Sequence, residues 1–160
     1  MKAVVGITAI FCVASWCAPA LASPGPVALV PMAPIAAPQD RAYPGELRLD
    51  VDATDIARRI IHVHETVTGV GADTVLLYPK WLPGNHSPEG PIDRFAGLRI
   101  SAQGKPVAWV RDRVDVFAFR VHPDAGVTSI DVDFDYLTPT SAKVGEASIS
   151  REMLFIDWNT

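Results

Sequence analysis

The sequence predicts an all-β fold, an antiparallel β-sandwich preceded by an export signal and a proline-rich linker. Three observations carry that prediction. Strict alternation of apolar and polar residues recurs along the chain, most plainly in SIDVDFDYL at Ser129–Leu137, and a period of two marks a half-buried strand. The alternating stretches are short and separated by glycine- and proline-bearing turns, the spacing expected of a sandwich. No segment beyond the N-terminal apolar run shows a helical period, and there is no internal repeat.

Taken in order, the chain begins with a targeting signal. Lys2 supplies a positive end, residues 3–17 form an apolar and small-residue run, and Ala20-Leu21-Ala22 is an A-x-A cleavage site, so the mature chain is expected to start at Ser23. The run is too short for a comfortable transmembrane span, so no membrane span is expected after cleavage. Cys17 ends the run, but Trp16 before it is too bulky for a lipidation site. Cys12 and Cys17 both lie inside the signal, which leaves the mature chain without a thiol, disulfide or cysteine metal ligand. Export without disulfides suits a bacterial periplasm, and a domain of this size can stand on its core alone. Residues 23–42 carry five prolines and almost no charge. Proline fixes φ and removes N–H donors, so this segment reads as a polyproline II linker.

The folded domain is expected over 43–160. ELRLDVDA at 46–53 sets Leu47, Leu49 and Val51 against Arg48, Asp50 and Asp52, a first strand. Residues 54–58 break the alternation as a turn. The β-branched run 59–68 is a second strand, 69–73 a turn, and 73–78 a third strand. A long loop follows at 78–91, YPKWLPGNHSPEGP, with four prolines and two glycines. Residues 97–101 return to a short strand, Gln103-Gly104-Lys105 is a tight hairpin turn, and 107–112 pairs back. DVFAFRV at 115–121 reads as a further strand, 123–126 as a turn, and Ser129–Leu137 as the clearest amphipathic strand, apolar on one face and acidic on the other. Residues 138–150 are polar and small, a loop, and 153–158 a last strand.

Composition bounds the function. At 49% hydrophobic and 20% charged residues the chain can bury a core. Its net charge is −4 and no basic run exists to hold a phosphate backbone, which argues against nucleic acid as a partner. The stiff, aromatic-bearing loop 78–91 is the best candidate surface, with Trp81, Asn85 and His86 as candidate substrate-binding residues, because binding surfaces sit on loops held by a scaffold. The opposing reading makes Trp81 a core plug, tryptophan being buried more often than not.

Other clusters carry weaker signals. His62 and His64 lie two apart on one strand and share a face; with a third ligand from His86, His122 or a carboxylate they could hold zinc or copper, but H-x-H alone is a weak motif, and a solvent-facing pair is the simpler reading. His64-Glu65-Thr66-Val67-Thr68 resembles H-E-x-x-H only in part: its fifth residue is threonine, and the stretch is strand-like where the chemistry needs a helix. Asp131, Asp133 and Asp135 could contribute oxygen ligands to calcium, yet residues two apart on a strand cannot wrap one ion, and a solvated face explains them better. Ser87 adjoins His86, but adjacency in sequence does not make a triad. G-x-S-x-G, P-loop and dinucleotide fingerprints are absent from the sequence. No catalytic and no metal-binding residue is therefore assigned.

The segments LLYPKWLPGNHSPEGPI, AGLRI, GKPVAWVRDRVDVFAFRV and DVDFDYLTPT, with W-x-P-G at Trp81, Pro83 and Gly84 as the most specific part, resemble the N-terminal domain of the glycyl aminopeptidase family of zinc metallopeptidases. The resemblance covers roughly 43–160. It implies a β-sandwich domain that in the family precedes a thermolysin-like catalytic domain, often with a PDZ domain. The family's H-E-x-x-H lies downstream of this domain, so the resemblance implies a truncated chain without catalytic residues and without a cofactor, zinc belonging to the missing catalytic domain. The partners it implies are that catalytic domain and a peptide substrate, with this domain helping to close the pocket for the substrate's N-terminus. The alternative from the residues alone is a free-standing periplasmic β-sandwich that binds a peptide or carbohydrate through the loop 78–91.

Overall fold

A computed structural model describes residues 32–37, 39–84, 86–140 and 148–156. The fold is all-β, with one short 3₁₀ turn at Ile92–Arg94. Its strands are β1 (Leu47–Asp52), β2 (Ile60–Thr68), β3 (Thr74–Leu77), β4 (Phe95–Ala102), β5 (Lys105–Pro106), β6 (Ala108–Arg111), β7 (Ala118–His122), β8 (Ser129–Leu137), β9 (Ser148–Ile149) and β10 (Leu154–Phe155). They form a five-stranded sheet in the order β1-β2-β8-β4-β5, a three-stranded sheet β3-β7-β6 and a small hairpin β10-β9. Every pairing is antiparallel.

The register of the large sheet turns sequence alternation into two unlike faces. Ile61, Val63, Glu65 and Val67 of β2 lie opposite Tyr136, Phe134, Val132 and Ile130 of β8. These side chains point toward the small sheet. Val67, Ile100, Ala102, Ile130 and Val132 join Val121 of β7 in one buried cluster, with Leu76 and Trp109 of the small sheet packed on it. That shared cluster makes the two sheets a sandwich. A second cluster, Ile61, Val63, Tyr136 and Ile149, lies at the other end of β2 and β8, where the β9–β10 hairpin supplies Ile149 and its flank Ile156. Because the side-chain period is two, a one-residue slip would turn every one of these residues outward.

Most predicted strands and turns stand where the pattern puts them. Gln103 and Gly104, at φ 51° and 74°, make the two-residue hairpin turn between Ala102 and Lys105. The loop expected at 138–150 ends in a short strand, β9, which pairs with β10 at Leu154–Phe155, all that the described residues show of the strand expected at 153–158. Three other stretches differ. The strand expected at 97–101 starts earlier, at Phe95, and carries a register shift between Ala96 and Arg99. The stretch 107–112, expected to pair back on 97–101, does not: only β5 pairs with β4, and β6 beyond Val107 crosses to the small sheet to pair with β7. The strand expected at 115–121 begins only at Ala118, because Asp112 captures the backbone before it. Asp112 Oδ1 accepts hydrogen bonds from the Val114 and Asp115 N–H groups at 2.8 and 3.0 Å, and its Oδ2 accepts from Arg120 Nε at 2.8 Å. This local side-chain bonding replaces ladder pairing. These bonds hold the Asp112 carboxyl down at about 2.

Residues 39–42 and 32–37, the described part of the expected linker, adopt no strand or helix, and the Ala33 carbonyl accepts a hydrogen bond from Arg120. The expected signal at 1–22, the start of the linker, most of the 138–150 loop and the end of the last strand at Asp157 and Trp158 lie outside the described residues. Among the described residues no helix is long and apolar enough to cross a membrane.

Ile130 is fully buried between the sheets, whereas Val114 is 91% exposed. Ile130→Ala is expected to destabilise the chain by about 2–5 kcal/mol, and Val114→Ala to stay within about 0.5 kcal/mol. Denaturant unfolding followed by circular dichroism measures both; equal losses would contradict the core assignment.

Candidate functional site

The loop 78–91 is held at both ends by backbone bonds. The Tyr78 N–H donates to the Phe117 carbonyl at 2.8 Å, and the Gly90 N–H donates to the Lys80 carbonyl at 3.0 Å, closing the loop on itself. Gly90 is required for that approach, since a Cβ there would lie 1.9 Å from the Pro79 carbonyl oxygen. Lys80 Nζ reaches Asp115 Oδ2 at 2.8 Å and lowers the Asp115 carboxyl below its usual value. The loop is thus pinned to the 112–117 turn that Asp112 organises.

Of the predicted binding residues, Trp81 is 60% exposed and His86 is exposed, while Asn85 lies outside the described residues. The tryptophan is therefore on the surface and not a core plug. Ser87 donates to the Glu89 carboxylate next to it. Among the described residues no hydroxyl is hydrogen-bonded to a histidine, so nothing here assembles a nucleophile and its base.

His62 and His64 do share a face, the outer face of the large sheet, where β1 and β8 flank them with carboxylates. His62 lies between Asp52 and Asp135, and His64 between Asp50 and Asp133. The His62 Nδ1–H group donates to Asp135 Oδ1 at 2.6 Å, and His64 Nδ1–H to Asp133 Oδ1 at 2.9 Å. These hydrogen bonds raise both imidazoles above their ordinary value against the opposing effect of desolvation. The other nitrogen of each ring faces a second carboxylate, His62 Nε2 toward Asp55 Oδ2 at 3.6 Å and His64 Nε2 toward Asp131 Oδ1 at 3.8 Å. Among the described residues no group of three or more His, Cys, Asp or Glu side chains is arranged to hold a metal ion. The chemistry of this face is that of a charge ladder.

The third region was not singled out by sequence reasoning. Between the sheets lies a partly open cavity of about 350 Å³, walled chiefly by apolar side chains including Leu49, Val63, Leu76, Phe95 and Phe134. Three polar groups also line it: Glu65, Tyr78 and Tyr136. Both phenolic oxygens are buried without a hydrogen-bond partner among the described residues, an arrangement that costs about 1–3 kcal/mol for each group. Glu65 likewise makes no hydrogen bond or ion pair among the described residues, and desolvation pushes its carboxyl up. The signal was present in the sequence, where Ile61-x-Val63-x-Glu65-x-Val67 places one acid in the row that faces inward.

The histidine ladder sets a pH dependence. An imidazole whose folded pKa exceeds its unfolded value contributes stability fully below about pH 6.5, and that contribution is lost as pH rises through the raised value. The melting temperature is therefore expected to fall as pH rises from about 6 into the alkaline range, and His62→Gln/His64→Gln to flatten that fall. A wild-type melting temperature that rose over this range would refute the ladder's role. Separately, Gly90→Ala is expected to open the loop, seen as loss of amide protection at Gly90 in hydrogen exchange; unchanged protection would show that the close approach is dispensable.

Among solved structures, the crystal structure of an aminopeptidase N family protein from Idiomarina loihiensis is similar at a TM-score of 0.57 and 14% identity, over 65% of this chain and 17% of that one. At that identity the likeness is one of fold, and this chain spans only a small part of that protein. No curated protein matches the chain. The family comparison carries further, because the Peptidase M61 N-terminal domain matches residues 48–160, from β1 through the β9–β10 hairpin and beyond, and the chain belongs to that family.

Proposed function

We propose that this domain is the non-catalytic N-terminal part of an exported zinc aminopeptidase-like protein. In this reading it packs on a catalytic domain and helps shape the pocket that admits a peptide's N-terminus. The observation that carries the reading is the family match over 48–160. The surface supports it. Leu49 and Leu77 are exposed at the mouth of the cavity between the sheets, Leu47 continues the row along β1, and Trp81 stands out from the loop that follows Leu77. Exposed apolar rows with an aromatic beside them are what an interface buries. The aminopeptidase description of the structural neighbour agrees with this context, and the charged start, apolar run and A-x-A site at 1–22 support export. Zinc and the hydrolytic machinery belong, in this reading, to the catalytic domain, and no step of hydrolysis is assigned to residues of this chain.

Two measurements test the proposal. The chain alone is expected to show no turnover of glycyl- or alanyl-p-nitroanilide. Turnover abolished by His62→Ala would overturn the non-catalytic assignment. Added to a catalytic domain of the same family from the same source, the chain is expected to bind it, with Trp81→Ala weakening the complex by about 2 kcal/mol or more if Trp81 is a central anchor. Absence of any complex, together with direct binding of peptide or oligosaccharide by the chain alone, would favour a free-standing binding module.

A further inference from the structure

We propose that the cavity between the two sheets is a binding site for a small primary amine carried on an apolar body, with Glu65 as the counter-ion of the ammonium group. The argument starts from the wall. A cavity of about 350 Å³ is large enough for a small ligand, and its lining of Leu49, Val63, Leu76, Phe95, Phe119 and Phe134 favours an apolar occupant. A purely apolar occupant would nevertheless leave Glu65 uncompensated. Glu65 is a carboxylate on an inward row, opposite Val132 on one side and Leu49 on the other, and no described residue pairs with it. Its carboxyl is already pushed up by desolvation, the condition that a cation at hydrogen-bond distance reverses. An ammonium group is the donor that supplies both charge and hydrogen bonds.

The opposite end of the cavity carries the second observation. Tyr136 is paired with Ile61, four residues along β2 from Glu65, which separates the two levels by about 13 Å of strand. The buried hydroxyls of Tyr136 and Tyr78 both lack a partner. Tyr136 is itself 7% exposed. The cavity therefore has an acid at one end, two uncommitted phenols at the other, and apolar side chains between. That polarity sets an orientation: the amine lies at Glu65 and the apolar body runs toward the tyrosines. The site uses only groups inside this sandwich, although its mouth at Leu49 and Leu77 is the edge that the proposed catalytic domain would cover, so it is tested on this chain alone.

Hexylammonium is the probe, with hexan-1-ol and hexanoate as its neutral and anionic counterparts, titrated into the full chain and followed by methyl NMR. Hexylammonium is expected to shift the Val63, Val132 and Leu76 methyl resonances and to bind about tenfold or more tighter than hexan-1-ol, with hexanoate weakest. Glu65→Gln is expected to abolish that preference. Intermolecular NOEs between the ligand's α-methylene and the Glu65 side chain provide a readout that needs no variant. Equal binding of the amine and the alcohol would overturn the proposal. So would an affinity insensitive to Glu65→Gln, or the absence of any shift at the Val63, Val132 and Leu76 methyls.

Discussion

The pairing of β2 with β8 is the constraint on which the rest of the domain depends. These two strands are the longest, nine residues each, and they pair along their whole length in the middle of the large sheet. One face of the pair supplies Ile61, Val63, Val67, Ile130, Val132 and Tyr136 to the two buried clusters. The other face sets histidine against aspartate. Burial of apolar surface contributes most of the stability of such a pair, while the ladder on the wet face adds charge-assisted bonds whose worth depends on protonation. The same alternation that builds the core therefore fixes where every titratable group of these strands must lie.

The small sheet depends on a different device. Asp112 and Arg120 form an ion pair in which the aspartate is 5% exposed, and the same carboxylate takes two backbone N–H groups. Buried charges persist when every lone pair is used, and this one shapes the 112–117 turn on which Tyr78 and Lys80 rest. The exposed Trp81 is thus presented by a chain of constraints that begins at a buried charge. A stiff loop on such a support can display an aromatic side chain to a partner at small cost in conformational entropy.

Much of this was legible in the sequence. Strict alternation located β2 and β8, and Gln103-Gly104 located the hairpin. What escaped depended on contacts between distant segments. The spacing of His62 and His64 put them on one face, and that of Asp131, Asp133 and Asp135 put those on one face, but only the register decides which histidine meets which aspartate. The late start of β7 followed from an aspartate bonding to nearby backbone, a competition that apolar periodicity does not reveal. The placement of Trp81 at the surface could not be read from its residue type, which favours burial. Glu65 was visible as an irregularity, but the cavity beside it is walled by residues of β1, β2, β3, β4, β7 and β8, a property that no single strand encodes.

Glu65 also bears on how the strands find each other. If β2 were displaced by two residues along β8, the faces would keep their inward and outward sense, and His62 would meet Asp133 while His64 met Asp131. The outer ladder would remain complementary, so charge alone does not distinguish the native alignment from this neighbour. The inner row does, because the displacement would move Glu65 from its place opposite Val132 to one opposite Ile130, the fully buried position. An unpaired carboxylate there carries a desolvation penalty of several kcal/mol. The acid that interrupts the apolar row thus serves as an alignment mark, penalising the misaligned strand pair when the small sheet closes over it. An apolar residue in its place would remove that penalty and leave Arg59, which the displacement carries to the inner row opposite Tyr136, to oppose the misalignment.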